Sequence, residues 1–114
     1  MRIAVASRDG KTIKGHMGKY PHWIIFEVSI SEQNPEPLVQ ELERITLEKQ
    51  FTFHHYKDEQ PHPLQSCVAV IGAGSGEGFK KKMEQRGIEA VIVTTELNPE
   101  QAVLDYARKT AISL

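Results

Sequence analysis

The chain has 114 residues, of which 39% are hydrophobic and 25% are charged, and its formal net charge is -1. This length is typical of one domain with one hydrophobic core, so we expect a single domain over residues 1–114. A nearly neutral chain has no general attraction for nucleic acid or an anionic membrane, and neither is expected as a partner. The single cysteine excludes an internal disulfide, and the first residues pass directly into a strand without a charged leader. We therefore expect a cytoplasmic protein.

The first half of the chain predicts three strands. Residues 2–7 and 22–28 are apolar runs rich in β-branched or aromatic side chains, and the loop between them contains Gly15-His16-Met17-Gly18. A histidine between two glycines has little bulk around it, so its imidazole can reach a large ligand. The alternative is a loop histidine that hydrogen-bonds its own turn. Residues 38–47 fit both a helical stripe and a strand, and we favour a strand.

Residues 48–65 show no periodic apolar pattern and predict an irregular surface excursion or a short helix with a long loop. With the residue that opens the next strand, this stretch offers candidate ligands for a second site for zinc, copper or nickel: His54, His55, His62 and Cys67. Their spacing matches no standard motif, and adjacent histidines in an extended chain point to opposite sides. An inert thiol at the start of a buried strand is the alternative interpretation of the cysteine.

The second half predicts a strand, a helix, a strand and a helix. The continuous apolar run 67–71 is typical of a central parallel strand, and the glycines after it lead into a helix over residues 79–86 that Gly87 closes. A strand over residues 88–94 follows. Asn98 is the predicted N-cap of the last helix, with Pro99 in the first helical position and Gln101 placed to complete a capping-box-like pair. The apolar side of that helix predicts core packing through Ala102, Val103, Tyr106 and Ala107.

Several motifs resemble those of the dinitrogenase iron-molybdenum cofactor biosynthesis family. The matching segments, in order, are Arg2-Ile3-Ala4-Val5-Ala6-Ser7 with Asp9-Gly10, Gly15-His16-Met17-Gly18-Lys19, Phe26-Glu27-Val28, Val70-Ile71-Gly72-Ala73-Gly74, Arg86-Gly87-Ile88-Glu89-Ala90-Val91, and the helix from Pro99. The resemblance covers nearly the whole chain. It implies an α/β, three-layer ribonuclease H-like fold with a mixed five-stranded sheet of order 3-2-1-4-5 and helices on both faces.

That strand order would place the first and fourth strands side by side at a topological switch point, where open α/β sheets bind ligands. The loops after these strands would then line one crevice. The predicted contacts to a bound group are Gly15, His16, Gly18, Gly72, Gly74 and Gly76. Backbone amides of residues 72–78 can form an anion-binding concavity, and Lys80, Lys81 and Lys82 can assist it. In the family, the histidine that matches His16 is the expected metal ligand, and only this role is carried over.

The resemblance therefore implies a non-catalytic carrier of an iron-molybdenum or iron-sulfur cluster or its precursor, in a function related to nitrogen fixation, whose partner is a donor or acceptor protein. One imidazole suits a site that must later release its cluster. Residue 17 departs from the common phenylalanine of the family, and we expect Met17 to pack rather than to bind metal.

Two alternatives remain: a simple metal-binding regulator, and an enzyme that binds a nucleotide or another anion through residues 72–78. The glycine loop is similar to a dinucleotide-binding loop, but Glu77 stands where its third glycine is required, so no nucleotide is expected. Two-metal nuclease chemistry needs several convergent carboxylates, and the first strand has none. We accordingly expect a binding protein and not an enzyme.

Overall fold

The structure, a computed structural model, describes residues 1–31, 33, 36–48, 52, 63–93 and 98–113. Its elements are β1 (Arg2–Ala6), β2 (His22–Ser29), β3 (Leu38–Thr46), β4 (Cys67–Gly72), α1 (Glu77–Gln85), β5 (Glu89–Ile92) and α2 (Pro99–Ser113). They form an α/β fold around a five-stranded sheet of order β3-β2-β1-β4-β5. Strand β1 runs antiparallel to β2 and parallel to β4. The predicted mixed sheet and its strand order are confirmed.

Strand β1 lies at the centre of two hydrophobic layers, because successive side chains of a strand point to opposite faces of a sheet. Ala4 belongs to a buried cluster that includes Met83 of α1. Ile3 belongs to a separate cluster that includes Val103 of α2. One helix therefore packs on each face, and β1 is enclosed from both sides.

Strand β3 forms an edge of the sheet and carries a β-bulge. Glu41 pairs with Phe26 and Glu43 pairs with Ile25, so Leu42 has no partner in the register. An extra residue of this kind reverses the alternation of side chains along the strand. The bulge explains why the apolar residues of this segment do not keep one strand period and also fit a helical stripe; the predicted strand is confirmed.

The ends of the helices follow local capping rules. The amide N–H of Gln101 donates to Oδ1 of Asn98 over 2.8 Å, as expected for an N-cap. The side chain of Gln101 does not make the reciprocal bond that the sequence suggested, since its amide donates to Asp105 one turn further on. Helix α1 ends at Gln85, and Gly87, which follows the C-cap residue Arg86, has a φ of 73°. The N–H of Ile88 returns to the carbonyl of Met83. Neither helix has the length and apolar character that a membrane span requires, over the residues that the structure describes.

Candidate functional site

Two loops that are more than fifty positions apart in the sequence meet at the carboxyl edge of the sheet. His16, in the loop after β1, forms an isolated parallel bridge with Gly74, in the loop after β4. The N–H of Met17 donates to the carbonyl oxygen of Gly74 over 2.8 Å. Because β1 and β4 are parallel neighbours, both loops leave the same edge of the sheet, and this bridge extends the strand pairing beyond it.

The imidazole of His16 is exposed and lies between two glycines. A Cβ at Gly18 would be 3.5 Å from both Nδ1 and Cε1 of the ring, and a Cβ at Gly76 would be 3.8 Å from Nε2. Side chains at these two positions would therefore touch the ring. Around Gly74 there is more room, since within the described residues no atom beyond its chain neighbours lies within 4 Å of the place that its Cβ would take.

Hydrogen bonds and one aromatic ring fix the backbone that carries the imidazole. The carbonyl of His16 accepts the N–H groups of Lys19 and Tyr20, each over 2.9 Å. Gly15 has a φ of 93°, a region that other residues rarely adopt, and the Tyr20 ring packs where its Cβ would lie. The indole N–H of Trp23, a fully buried residue, donates to the carbonyl of Tyr20. The histidine ring is thus exposed on a backbone that is anchored to the core.

The side chain of Met17 anchors the same loop to the core. Its side chain is fully buried, and a Cβ at Gly72 would be 2.2 Å from its Cγ. Gly72 is also buried, so it lies beneath the site and supports the loop through this contact, whereas Gly74 and Gly76 lie nearer the surface. The expected packing of Met17 is what the structure shows.

A compact turn precedes the histidine loop. Oδ1 of Asp9 accepts the backbone N–H groups of Lys11 and Thr12 over 2.8 and 2.9 Å. These hydrogen bonds favour the carboxylate and lower the pKa of Asp9 from 3.8 to about 2. The buried hydroxyl of Ser7 donates to the carbonyl of Thr12 and accepts the N–H of Gly10. Asp9 therefore has a structural role in the turn.

The profile of the family described as dinitrogenase iron-molybdenum cofactor matches residues 1–109. The chain belongs to this family. Membership supports a role for the chain that is related to that cofactor or to its biosynthesis.

Two solved structures share the fold of this family member. The crystal structure of PH0822 is 17% identical in sequence with a TM-score of 0.55, and the match covers 99% of this chain and 91% of that chain. The NMR structure of a putative NifB protein from Thermotoga (TM1290), described as a member of the DUF35 family, is 10% identical with a TM-score of 0.54, and the match covers 93% and 86%. No curated protein matches the sequence.

The N-terminus of α1 favours negative charge beside His16. Gly76 is the N-cap of α1 and offers no side-chain hydrogen bond to the first turn. The N-terminal end of a helix carries a partial positive charge and exposes N–H groups that bind anions. Lys80 and Lys81 are exposed on the same helix, one turn further on. The N-terminal amides of α1 therefore favour a negatively charged group beside His16.

The remaining candidate ligands divide into two groups. His54, His55 and His62 lie outside the described residues, so the second metal site stays a prediction. Cys67 is buried, and burial raises the pKa of its thiol to about 11, which leaves it protonated at neutral pH. His22 hydrogen-bonds Thr46 through Nδ1 and meets the Tyr20 ring edge-on, which is a structural role.

Sequence reasoning missed the supporting part that Tyr20 plays in the site. The residue follows the glycine loop without a motif of its own, and its contact with Gly15 depends on a positive φ that no sequence pattern specifies. A bulky aromatic side chain directly after a loop with two glycines is the signal that would have indicated it.

Proposed function

We propose that this protein is a non-catalytic carrier that binds an iron-molybdenum or iron-sulfur cluster, or a precursor of one, as cargo through His16. The observation that carries the proposal is the exposed imidazole of His16, which lies between Gly18 and Gly76, the N-cap of α1. Hydrogen bonds hold the backbone of the loop that carries this imidazole. The cargo passes from a donor protein to an acceptor protein in the cytoplasm.

The scarcity of metal ligands supports a cluster over a bare metal ion. Stable sites for a single structural ion usually use four protein ligands. Within the described part of the chain, no group of three or more histidine, cysteine, aspartate or glutamate side chains is placed to hold an ion. A metal-sulfur cluster brings its own bridging sulfides, so one imidazole can hold it and still release it to the next protein.

The dipole of α1 beside the imidazole supports an anionic cargo. The N-terminus of α1 begins at Gly76, beside Nε2 of His16, and its partial positive charge stabilises negative charge there. The carboxylate nearest in the sequence, Asp9, is occupied by the amides of its own turn. It is therefore not placed as a general base, which favours binding over catalysis.

Anaerobic loading tests the proposal. Isolated iron-molybdenum cofactor and a synthetic iron-sulfur cluster are added to the wild-type protein, to His16→Ala and to the control Gln85→Ala at the exposed far end of α1, and bound iron is measured after gel filtration. We expect uptake by the wild type and by the control, and at least about tenfold weaker binding by His16→Ala. Equal uptake by wild type and His16→Ala would remove the histidine from the mechanism, and saturable nucleotide binding at micromolar concentration would favour an enzyme instead.

A further inference from the structure

We infer that the cargo binds to Nε2 of His16 and that Gly76 sets the size of the space in front of this nitrogen. The inference rests on the proposed carrier function, and it assigns the binding atom and a residue that determines which cargo fits. It follows from the different surroundings of the two ring nitrogens and from the backbone conformation of Gly76.

The two ring nitrogens of His16 face different environments. Nδ1 lies 3.5 Å from the place of a Cβ on Gly18, and Gly18 is buried with Cδ2 of Phe79 only 3.9 Å from the same place. Nε2 lies on the side of Gly76, which is exposed. A group of several atoms can therefore approach Nε2 from the exposed side of Gly76, whereas Nδ1 faces the buried Gly18.

The backbone of Gly76 does not require a glycine. Its φ of -82° and ψ of 163° are extended values that any residue adopts. This distinguishes it from Gly15, which has a positive φ, and from Gly72, where the Met17 side chain fills the space of a Cβ. Nor does helix capping require it, because serine, aspartate and asparagine are at least as favourable at the N-cap.

The consequence of having no side chain at Gly76 is free space at the imidazole. A Cβ there would lie 3.8 Å from Nε2, and any longer side chain would extend from that point beside the nitrogen. A capping side chain would place its oxygen on the first amides of α1, where an anionic cargo would otherwise bind. Glycine at this position thus leaves both Nε2 and the helix N-terminus available to the same cargo.

Two substitutions at Gly76 distinguish an effect of lost space at Nε2 from an effect of lost fold stability. Gly76→Val adds bulk, and Gly76→Ser adds a smaller side chain that also caps α1, so the second variant is expected to unfold at the same or a higher urea concentration than the wild type. Gln85→Val, at the exposed far end of the same helix, is the matched control. With the same clusters, we expect binding to weaken about tenfold or more in both Gly76 variants and to change less than about twofold in the control.

Selective isotope labelling tests which ring nitrogen of His16 binds the cargo. Wild-type protein is prepared with histidine that carries 15N only at Nε2 or only at Nδ1, and it is loaded with paramagnetic cluster. We expect electron–nuclear double resonance to show the directly bonded coupling from the Nε2 label. A larger coupling from the Nδ1 label, or unchanged binding in both Gly76 variants, would overturn this inference. The proposed function would still stand in that case if His16→Ala no longer bound the cargo. If His16→Ala bound as well as wild type, the proposed function would fall and this inference with it.

Discussion

The side chain of Met17 occupies the space that a side chain at position 72 would need. A Cβ at Gly72 would be 2.2 Å from Cγ and 2.8 Å from Sδ of Met17, which is fully buried. The residue after the candidate ligand is thus locked onto the end of β4. The position of His16 therefore depends on core packing as well as on its own loop.

Substitution of Gly72 by alanine should destabilise the fold through this contact. The new methyl group forces Met17 or the strand to move, and overpacking of this kind typically costs about 1–3 kcal/mol. Met17→Ala alone should cost about 2–5 kcal/mol because it leaves a cavity. In urea unfolding, the double variant should lose less than the sum of the two single losses, since the alanine at 72 then has room. Strict additivity would show that the two side chains do not compete for the same space.

Gly15→Ala should disturb both stability and cargo binding. An alanine at a φ of 93° is strained by about 1–2 kcal/mol, and its Cβ would lie 2.2 Å from Cδ1 of the Tyr20 ring. We expect a lower melting temperature by circular dichroism and weaker cluster uptake, because the ring can only move by loosening the turn that holds His16. Gly74→Ala is the control for stability, because its Cβ would meet nothing within 4 Å beyond its chain neighbours in the part of the chain that the structure describes. Equal melting temperatures for the two variants would contradict this role of Gly15.

Asp9 should contribute stability that is lost only in strong acid. Its pKa is lowered from 3.8 to about 2 in the folded protein, since backbone amides hydrogen-bond the carboxylate. A group with a lowered folded pKa contributes its full stability above the unfolded pKa, and the contribution disappears as the pH falls through the folded one. The carboxyl carbon of Asp9 should titrate near pH 2 by NMR in the folded protein and near 3.8 in urea. A midpoint near 3.8 in both states would refute the turn geometry.

The thiol of Cys67 should be unreactive in the folded protein. It is 3% exposed, and burial raises its pKa to about 11, so very little thiolate is present at pH 8. A disulfide reagent should modify it only at the rate of unfolding, and complete reaction should follow addition of denaturant. Rapid modification of the native protein would indicate an accessible cysteine and would favour the second metal site.

Local signals in the sequence were sufficient for several elements of the fold. Asn98 and Pro99 specify the start of α2 by capping geometry that depends on adjacent residues alone, and Gly87 specifies the end of α1. Strand β3 was ambiguous, because the bulge at Leu42 interrupts its alternation and the tertiary pairing with β2 decides its conformation.

The candidate site could be predicted only in part. Family resemblance and strand order indicated that the loops carrying His16 and Gly74 would meet, and the structure shows their bridge. The contacts of Met17 with Gly72 and of Tyr20 with Gly15 could not be predicted, since they depend on long-range packing and on a positive φ. The surroundings of the two ring nitrogens depend on how Gly18 and Gly76 lie against the imidazole, which no sequence pattern specifies.

Iron anomalous scattering from crystals loaded anaerobically with cluster tests the central claim most directly. The account predicts an iron peak at bonding distance from Nε2 of His16, in the open space beside Gly76 at the N-terminus of α1. An iron peak on Cys67 or on the histidines at 54, 55 and 62, with the His16 ring unbound, would contradict it.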